Sequence, residues 1–337
     1  VPGILRQTRP DLRIGFFLHI PFPSPDLFRQ LPWREEIVRG LLGADVIGFH
    51  LKINADNFLT LARQVAGDTG SHIGQPDQLA VEGEASMNSI TATISVPDGR
   101  EVGVAAFPIS IDTASVITQA NNADPASIRH SLADTETIMG VDRLDYTKGI
   151  LQRLLAFEEL LESGALDPND VVLVQVATPS RERIEHYRTA RHAVEQAVGR
   201  INGRFGSIGR PVVHYVHRSI SKDQLMGIYA AADVMLITAF KDGMNLVAKE
   251  YVACHGDGSG ALVLSEFAGA AVELNQAFLC NPHDIESIKK QLLAAVTELR
   301  SAPEETRERM EAMHQQVVEH DVEAWAKSFL TCLERHA

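Results

Sequence analysis

The stretch Lys241-Asp242-Gly243-Met244-Asn245-Leu246-Val247-Ala248-Lys249-Glu250 sets two carboxylates around a glycine turn. It follows the apolar run Ala232-Asp233-Val234-Met235-Leu236-Ile237-Thr238 and leads into a helix-like run through Tyr251, Val252 and Ala253. This reads as a strand, a turn and the start of a helix. A helix start offers free backbone N–H groups and the positive end of the macrodipole, which suit an anion. Glu250 lies one helical turn beyond Leu246, on the same side. N–H groups for phosphate and a carboxylate for ribose hydroxyls are what a nucleotide needs. An ordinary strand-to-helix turn with a surface glutamate has the same outline.

Cations for such an anion stand in Val141-Asp142-Arg143-Leu144-Asp145-Tyr146-Thr147-Lys148-Gly149. Lys148 falls near the first turn of the following helix, where the macrodipole disfavours a cation by a few tenths to about 1 kcal/mol. An anion held between Lys148 and the helix start would explain its position. A solvated lysine, with Arg143 paired to Asp142 or Asp145, would explain it too. Asp142 and Asp145 have no third ligand nearby, so no metal is expected. Arg181 follows Thr178-Pro179-Ser180 at the end of an apolar run. Ligands of open α/β sheets gather at the carboxyl ends of strands, and the guanidinium fork suits phosphate. Arg181 can also be a surface residue of the charged run Arg181-Glu182-Arg183. His19 ends another strand-like run, where a lone histidine is more often a structural hydrogen-bonder than a catalyst. No Gly-x-Ser-x-Gly elbow, Walker loop or Gly-x-Gly-x-x-Gly occurs, which disfavours serine nucleophiles, P-loop ATP hydrolysis and ordinary NAD binding.

The elements that must position these residues alternate. Strands are expected over about residues 13–20, 45–50, 102–109, 137–141, 171–176, 212–216 and 260–265. The prolines of Pro21-Phe22-Pro23-Ser24-Pro25 end the first. Helices are expected near residues 34–42, 55–65, 149–161, 181–198 and 222–231, with a short Ala-rich helix after residue 265. Ile90, Ala92, Ile94 and Val96 alternate as in a hairpin. Residues 112–134 read as a polar passage between domains. Val322, Trp325, Ala326, Phe329, Leu330 and Leu333 form a packing stripe on a last helix. Strands alternating with helices imply parallel sheets covered on both faces, and the Val/Ile/Leu-rich strands agree. Two such sheets would leave a cleft between them.

The chain has 337 residues, 45% hydrophobic and 22% charged, with a formal net charge of −13. That length suits two domains. The negative charge argues against nucleic-acid binding, and no apolar run approaches a membrane span. A phosphorylated ligand must therefore be met by local cations against the overall field. Cys254, Cys280 and Cys332 are isolated, as in a reduced cytoplasmic protein, and no signal peptide is evident. The opening Val1-Pro2-Gly3-Ile4-Leu5-Arg6 resembles the tail of a helix, and an N-terminal portion is expected to precede it.

Four segments, His19-Ile20-Pro21-Phe22-Pro23, Arg143 to Gly149, Arg200-Ile201-Asn202-Gly203-Arg204-Phe205-Gly206 and Asp242 to Tyr251, stand in one order, with Ser265-Glu266-Phe267-Ala268-Gly269-Ala270 after them. Together they resemble the trehalose-6-phosphate synthase family over essentially the whole chain. The resemblance implies a GT-B fold: two Rossmann-like doubly wound α/β domains facing a cleft, the N-terminal one incomplete. Residues 1–125 would be the remainder of the acceptor-side domain. Residues 126–318 would form the nucleotide-sugar domain, and residues 319–337 a helix packing back towards the first. The activity implied is transfer of glucose from a nucleotide sugar to glucose 6-phosphate with retention, without cofactor or metal.

By the same resemblance, Arg143 and Lys148 hold the donor diphosphate, and Leu246 and Val247 offer it backbone N–H groups. Glu250 holds the ribose, and Asp242 with the backbone of Gly243, Met244 and Asn245 grips the glucose. Ala248 and Lys249 complete the donor segment, Arg181 binds the acceptor phosphate, and His19 lies beside the transferred sugar. Ile220 stands where some relatives carry an aromatic residue near the base, which leaves UDP-, ADP- and GDP-glucose open. A homo-oligomer without nucleic-acid or membrane partners is expected. Glucosylglycerol-phosphate synthase, a pseudo-glycosyltransferase and a non-catalytic sugar-phosphate sensor are the alternatives.

Overall fold

A computed structural model of the chain describes residues 1–67, 92–181 and 183–336. It divides into two compact units, residues 1–109 with 322–337, and residues 110–321.

The first unit carries helices α1 (Pro2–Thr8), α2 (Pro25–Phe28), α3 (Arg34–Leu41) and α4 (Lys52–Ala66). Its strands are β1 (Gly15–Leu18), β2 (Val46–Phe49), β3 (Ala92–Ser95) and β4 (Glu101–Ala106), in the order β1-β2-β4-β3. β1, β2 and β4 run parallel; β3 pairs with β4 antiparallel, as the alternation at Ala92, Ile94 and Val96 implies. Ile90, the first residue of that pattern, lies outside the described residues. Val46 and Ile47 are buried with Val104, as expected of a strand covered on both faces.

The second unit begins where the sequence suggested a polar passage. Residues 112–134 instead hold two helices, α5 (Thr113–Asn122) and α6 (Pro125–Ser131), each capped by an aspartate. Asp112 accepts from Ser115 N–H and Asp124 from Ser127 N–H, which satisfies donors that polar composition alone left unassigned. Then follow β5 (Glu136–Arg143), α7 (Ile150–Glu162), β6 (Val171–Thr178), α8 (Glu185–Phe205), β7 (Val213–Val216), α9 (Lys222–Ala231), β8 (Val234–Ile237), α10 (Leu246–Cys254), β9 (Ala261–Ser265), β10 (Phe278–Cys280), α11 (Ile285–Ser301) and α12 (Pro303–Glu319). The sheet order is β10-β9-β8-β5-β6-β7, all pairs parallel. α5 packs on α9 and α10, and so belongs to this unit. The last helix, α13 (Val322–Arg335), rejoins the first unit, where Trp325 Nε1 donates to the Phe107 carbonyl at 3.2 Å. Among the described residues no helix is long and apolar enough to cross a membrane.

α7 buries Ile150, Leu154, Phe157 and Leu161, one every three or four residues, against the sheet. The run Arg200 to Gly206 ends α8, and its polar side chains tie the helix down. Arg200 reaches Glu158 of α7 at 2.6 Å, and Arg204 reaches Glu158 and Glu162 at 2.9 and 2.7 Å. Asn202 accepts from the N–H groups of Val212 and Val213 at 3.0 and 2.9 Å and donates to the Val213 carbonyl at 2.9 Å. One amide side chain thus fixes the entry of β7. Replacing it leaves half-buried backbone groups without partners. Asn202→Ala is expected to lower unfolding stability by about 2–3 kcal/mol in chemical denaturation; a loss under about 0.5 kcal/mol would show that water replaces the side chain.

Candidate active site

β5 and β8 are neighbours, so the loops leaving their carboxyl ends are neighbours too. After β5, Asp145 caps a short 3₁₀ turn, Tyr146–Lys148, accepting from the Thr147 N–H and hydroxyl, both at 2.9 Å. Lys148 is therefore presented by that turn, just ahead of α7, and not by the helix itself. Gly149 follows with φ 62°, and a Cβ there would strike the Thr238 carbonyl oxygen. Only glycine allows so close a crossing at a positive φ. The Thr238 hydroxyl donates to the Gly149 carbonyl at 2.9 Å, and Phe240 N–H donates to the Thr147 carbonyl at 2.8 Å.

Lys148 Nζ lies 2.5 Å from Asp242 Oδ2, an ion pair between the two loops, with side-chain exposures of only 14% and 19%. Asn245 also donates to that Asp242 oxygen, at 3.1 Å, and its own Oδ1 caps α10 through the Ala248 N–H at 3.1 Å. Asn245 has φ 75°, a left-handed conformation that asparagine tolerates better than most residues. The loop is closed from the far side: Asp242 N–H donates to the Phe267 carbonyl and Ala270 N–H to the Met244 carbonyl. A Cβ on Gly269 would meet the Gly243 carbonyl, so that contact also requires glycine. The result is a helix start whose first N–H groups, at Leu246 and Val247, lie beyond Asn245 and have no partner within the helix. The Arg143 side chain stands exposed at the end of β5, without a hydrogen bond or ion pair of its own among the described residues, and its charge helps hold the Asp145 carboxyl below the usual range. Arg143, Lys148, Asp242 and the start of α10 therefore gather at the carboxyl ends of adjacent strands.

Other expected residues are placed differently. Arg181 precedes α8 instead of starting it, with φ 44°. Its Nη1 donates to the Tyr187 hydroxyl at 3.1 Å. Lys249 is buried and paired with Glu273 at 2.7 Å, and Ala248 is fully buried; within the segment these side chains anchor α10. Asp142 is committed to Arg153 at 2.9 Å, and Arg153 also donates to Gln175 at 2.9 Å, all beneath the loop. Ile220 is half-buried just before Ser221, the cap of α9. His19 is exposed after β1 in the first unit, its ring 4.9 Å from Phe17 and 5.6 Å from His50. Among the described residues no group of three His, Cys, Asp or Glu is placed to hold a metal.

The sequence offered no sign of Tyr187, Thr238 or Glu273. Each lies in a segment that reads as ordinary helix, strand or loop; Thr238 and Glu273 have partners distant in the chain, and Tyr187 joins nearby Arg181 to distant Asp145. Cys254 lies one turn beyond Glu250. Burial, assisted by the Glu250 charge, pushes its thiol up to about 12, and burial does the same for Cys280. Neither is a thiolate nucleophile at neutral pH.

Burial raises the Glu250 carboxyl above the usual glutamate range; the Lys222 charge and the Tyr229 hydroxyl, 3.5 Å away, oppose this. A carboxyl with a raised folded-state pKa favours folding when protonated. Stability is lost as pH rises from the ordinary glutamate value through the raised one. Glu250→Gln is accordingly expected to melt higher than the parent at pH 7, with the gap closing below about pH 4. Thermal melts across this range check it; an equal or lower melting temperature at pH 7 would mean that the carboxylate is already compensated in the folded chain.

Comparison with known proteins matches this arrangement to one family. The model of glycosyltransferase family 20 matches residues 1–335. A trehalose-6-phosphate synthase of Mycolicibacterium vanbaalenii is 54% identical over 338 residues, covering 99% of this chain and 66% of the relative. The chain thus spans about two thirds of that protein. A UDP-forming trehalose-phosphate synthase of Burkholderia xenovorans, solved with glucose-6-phosphate, is 34% identical with a TM-score of 0.87, covering 99% of this chain and 70% of that one. The E. coli protein solved with UDP-2-fluoro glucose is 32% identical with a TM-score of 0.85, covering 98% and 70%. These likenesses also carry the fold class, two Rossmann-like α/β units of the GT-B kind. The chain belongs to glycosyltransferase family 20.

Proposed function

We propose that the protein transfers glucose from a nucleotide sugar, with UDP-glucose the first candidate, to glucose 6-phosphate with retention, giving trehalose 6-phosphate. The observation that carries this reading is the Lys148–Asp242 pair beside the start of α10. Breaking the glycosidic bond places negative charge on the leaving diphosphate. Lys148, held by Asp242, and the Leu246 and Val247 N–H groups are ordered donors, with Arg143 exposed at the end of β5, and preorganised groups stabilise developing charge most effectively. Asp242, with the Gly243, Met244 and Asn245 backbone, takes the glucose hydroxyls. Glu250 takes the ribose, Ile220 borders the base, Arg181 takes the acceptor phosphate, and His19 contacts the transferred glucose. Support comes from relatives of this family solved with glucose-6-phosphate and with UDP-2-fluoro glucose. A cytoplasmic homo-oligomer is part of the same proposal, and so is the reading of residues 110–321 as the donor-side unit and of residues 1–109 with the returning helix as the acceptor-side unit.

The test is an assay of the protein with UDP-, ADP- and GDP-glucose and glucose 6-phosphate. A disaccharide phosphate is expected, and its absence with every donor would refute the reading. Lys148→Ala is expected to lower kcat/KM by about 10²-fold or more. Arg181→Ala is expected to raise the KM for glucose 6-phosphate about tenfold or more while leaving that for the donor nearly unchanged. An unchanged acceptor KM would remove Arg181 from the acceptor site.

A further inference from the structure

Tyr187 lies on the first turn of α8, only 5% exposed, and nothing in the family motifs above points to it. Its hydroxyl accepts from Arg181 Nη1 at 3.1 Å and donates to Asp145 Oδ2 at 3.2 Å. The other Asp145 oxygen holds Thr147, and the Asp145 carbonyl accepts from Lys148 N–H at 3.1 Å. One chain of hydrogen bonds therefore runs from Arg181 through Tyr187 and Asp145 to the turn that presents Lys148. The ring also packs edge-on against Tyr146, the centroids 5.5 Å apart.

The backbone of Arg181 supplies a second observation. Its φ of 44° lies in the left-handed region, which costs a non-glycine residue energy and persists only where the surroundings enforce it. Ile184 N–H donates to the Arg181 carbonyl at 2.9 Å, and the guanidinium is held from the side by the phenol. Arg181 is a long side chain with many rotamers. A fixed acceptor at one nitrogen selects among them and leaves the other N–H groups of the fork to point elsewhere.

We propose that Tyr187 is a positioning residue that holds the guanidinium of Arg181 for a sugar phosphate by bridging it to Asp145 of the Lys148 turn. This rests on the reading of Arg181 as the acceptor-phosphate ligand. The hydroxyl is neither nucleophile nor proton donor to substrate. It sets the aim of one cation relative to the other, so the acceptor phosphate and the leaving diphosphate are met at a fixed spacing.

The test is Tyr187→Phe, which keeps the ring packing and removes one oxygen. In steady-state kinetics with UDP-glucose and glucose 6-phosphate, the KM for glucose 6-phosphate is expected to rise about tenfold. The KM for UDP-glucose is expected to stay within about twofold and kcat within about threefold. Calorimetric titration with glucose 6-phosphate in the presence of UDP, on the same variant, is expected to show the same loss in affinity. A general loosening of the fold would move both KM values and the melting temperature together, and that result would overturn the proposal. So would an acceptor KM equal to the parent's. If the parent protein transfers no glucose, the reading of function fails and takes this proposal with it. If the parent is active and only the variant's acceptor KM fails to move, the proposal alone fails.

Discussion

The Lys148–Asp242 ion pair joins two loops that the sheet brings together but does not itself bind. β5 and β8 pair through only part of their length, Ile138 with Val234 and Met139 with Met235. Beyond Ile237 the chain has left the ladder, and the contacts that remain are specific: Phe240 N–H to Thr147, the Thr238 hydroxyl to Gly149, and the ion pair. Two charges at 14% and 19% exposure are screened far less than surface pairs. Removing one leaves the other charge poorly solvated, which at fully buried sites costs about 3–5 kcal/mol. The same pair sets the charge at the mouth of α10. Asp242 balances Lys148, and Arg143 adds an exposed cation whose charge also acts on Asp145. In a chain of net charge −13, these local cations are what an incoming anion would meet.

The support beneath the pair is equally specific. Gly140 leaves room for Arg153, whose guanidinium would collide with any Cβ there. Arg153 is fully buried and divides its donors between Asp142 and Gln175, on β5 and β6. A buried network of this kind tolerates little displacement, since each unpartnered group would cost desolvation energy. The end of β5, from which Arg143 and the Lys148 turn project, is thus fixed from below. On the other side, Lys249 and Glu273 anchor α10. Charged residues within the motifs divide between those that stay at the surface and those buried to hold the surface ones in place.

That division was only partly legible in the sequence. The parallel strands of both units could be read because buried parallel strands are near-continuous runs of Val, Ile and Leu. The helix start after Asn245 could be read from the strand, turn and periodicity around it. Asp142 and Lys249 could not be sorted from Asp145 and Lys148, because burial depends on Arg153 and Glu273, and neither partner is marked by spacing. Helices α5 and α6 were missed because their polar, Asn- and Ala-rich composition resembles a linker until the Asp112 and Asp124 caps are seen in place. The expected start of α8 at Arg181 came four residues early, since a left-handed backbone in a non-glycine residue has no sequence signature.

Recognition of a diphosphate, rather than of a base or a sugar, is what the Lys148–Asp242 loop pair must provide for the proposed transfer. Calorimetric titration of the protein with UDP and with uridine, at matched pH and low salt, separates these. UDP is expected to bind at least about a hundredfold more tightly than uridine, and Lys148→Gln is expected to remove most of that difference. Equal affinity for UDP and uridine, or a difference untouched by Lys148→Gln, would contradict the assignment of this loop pair to the diphosphate.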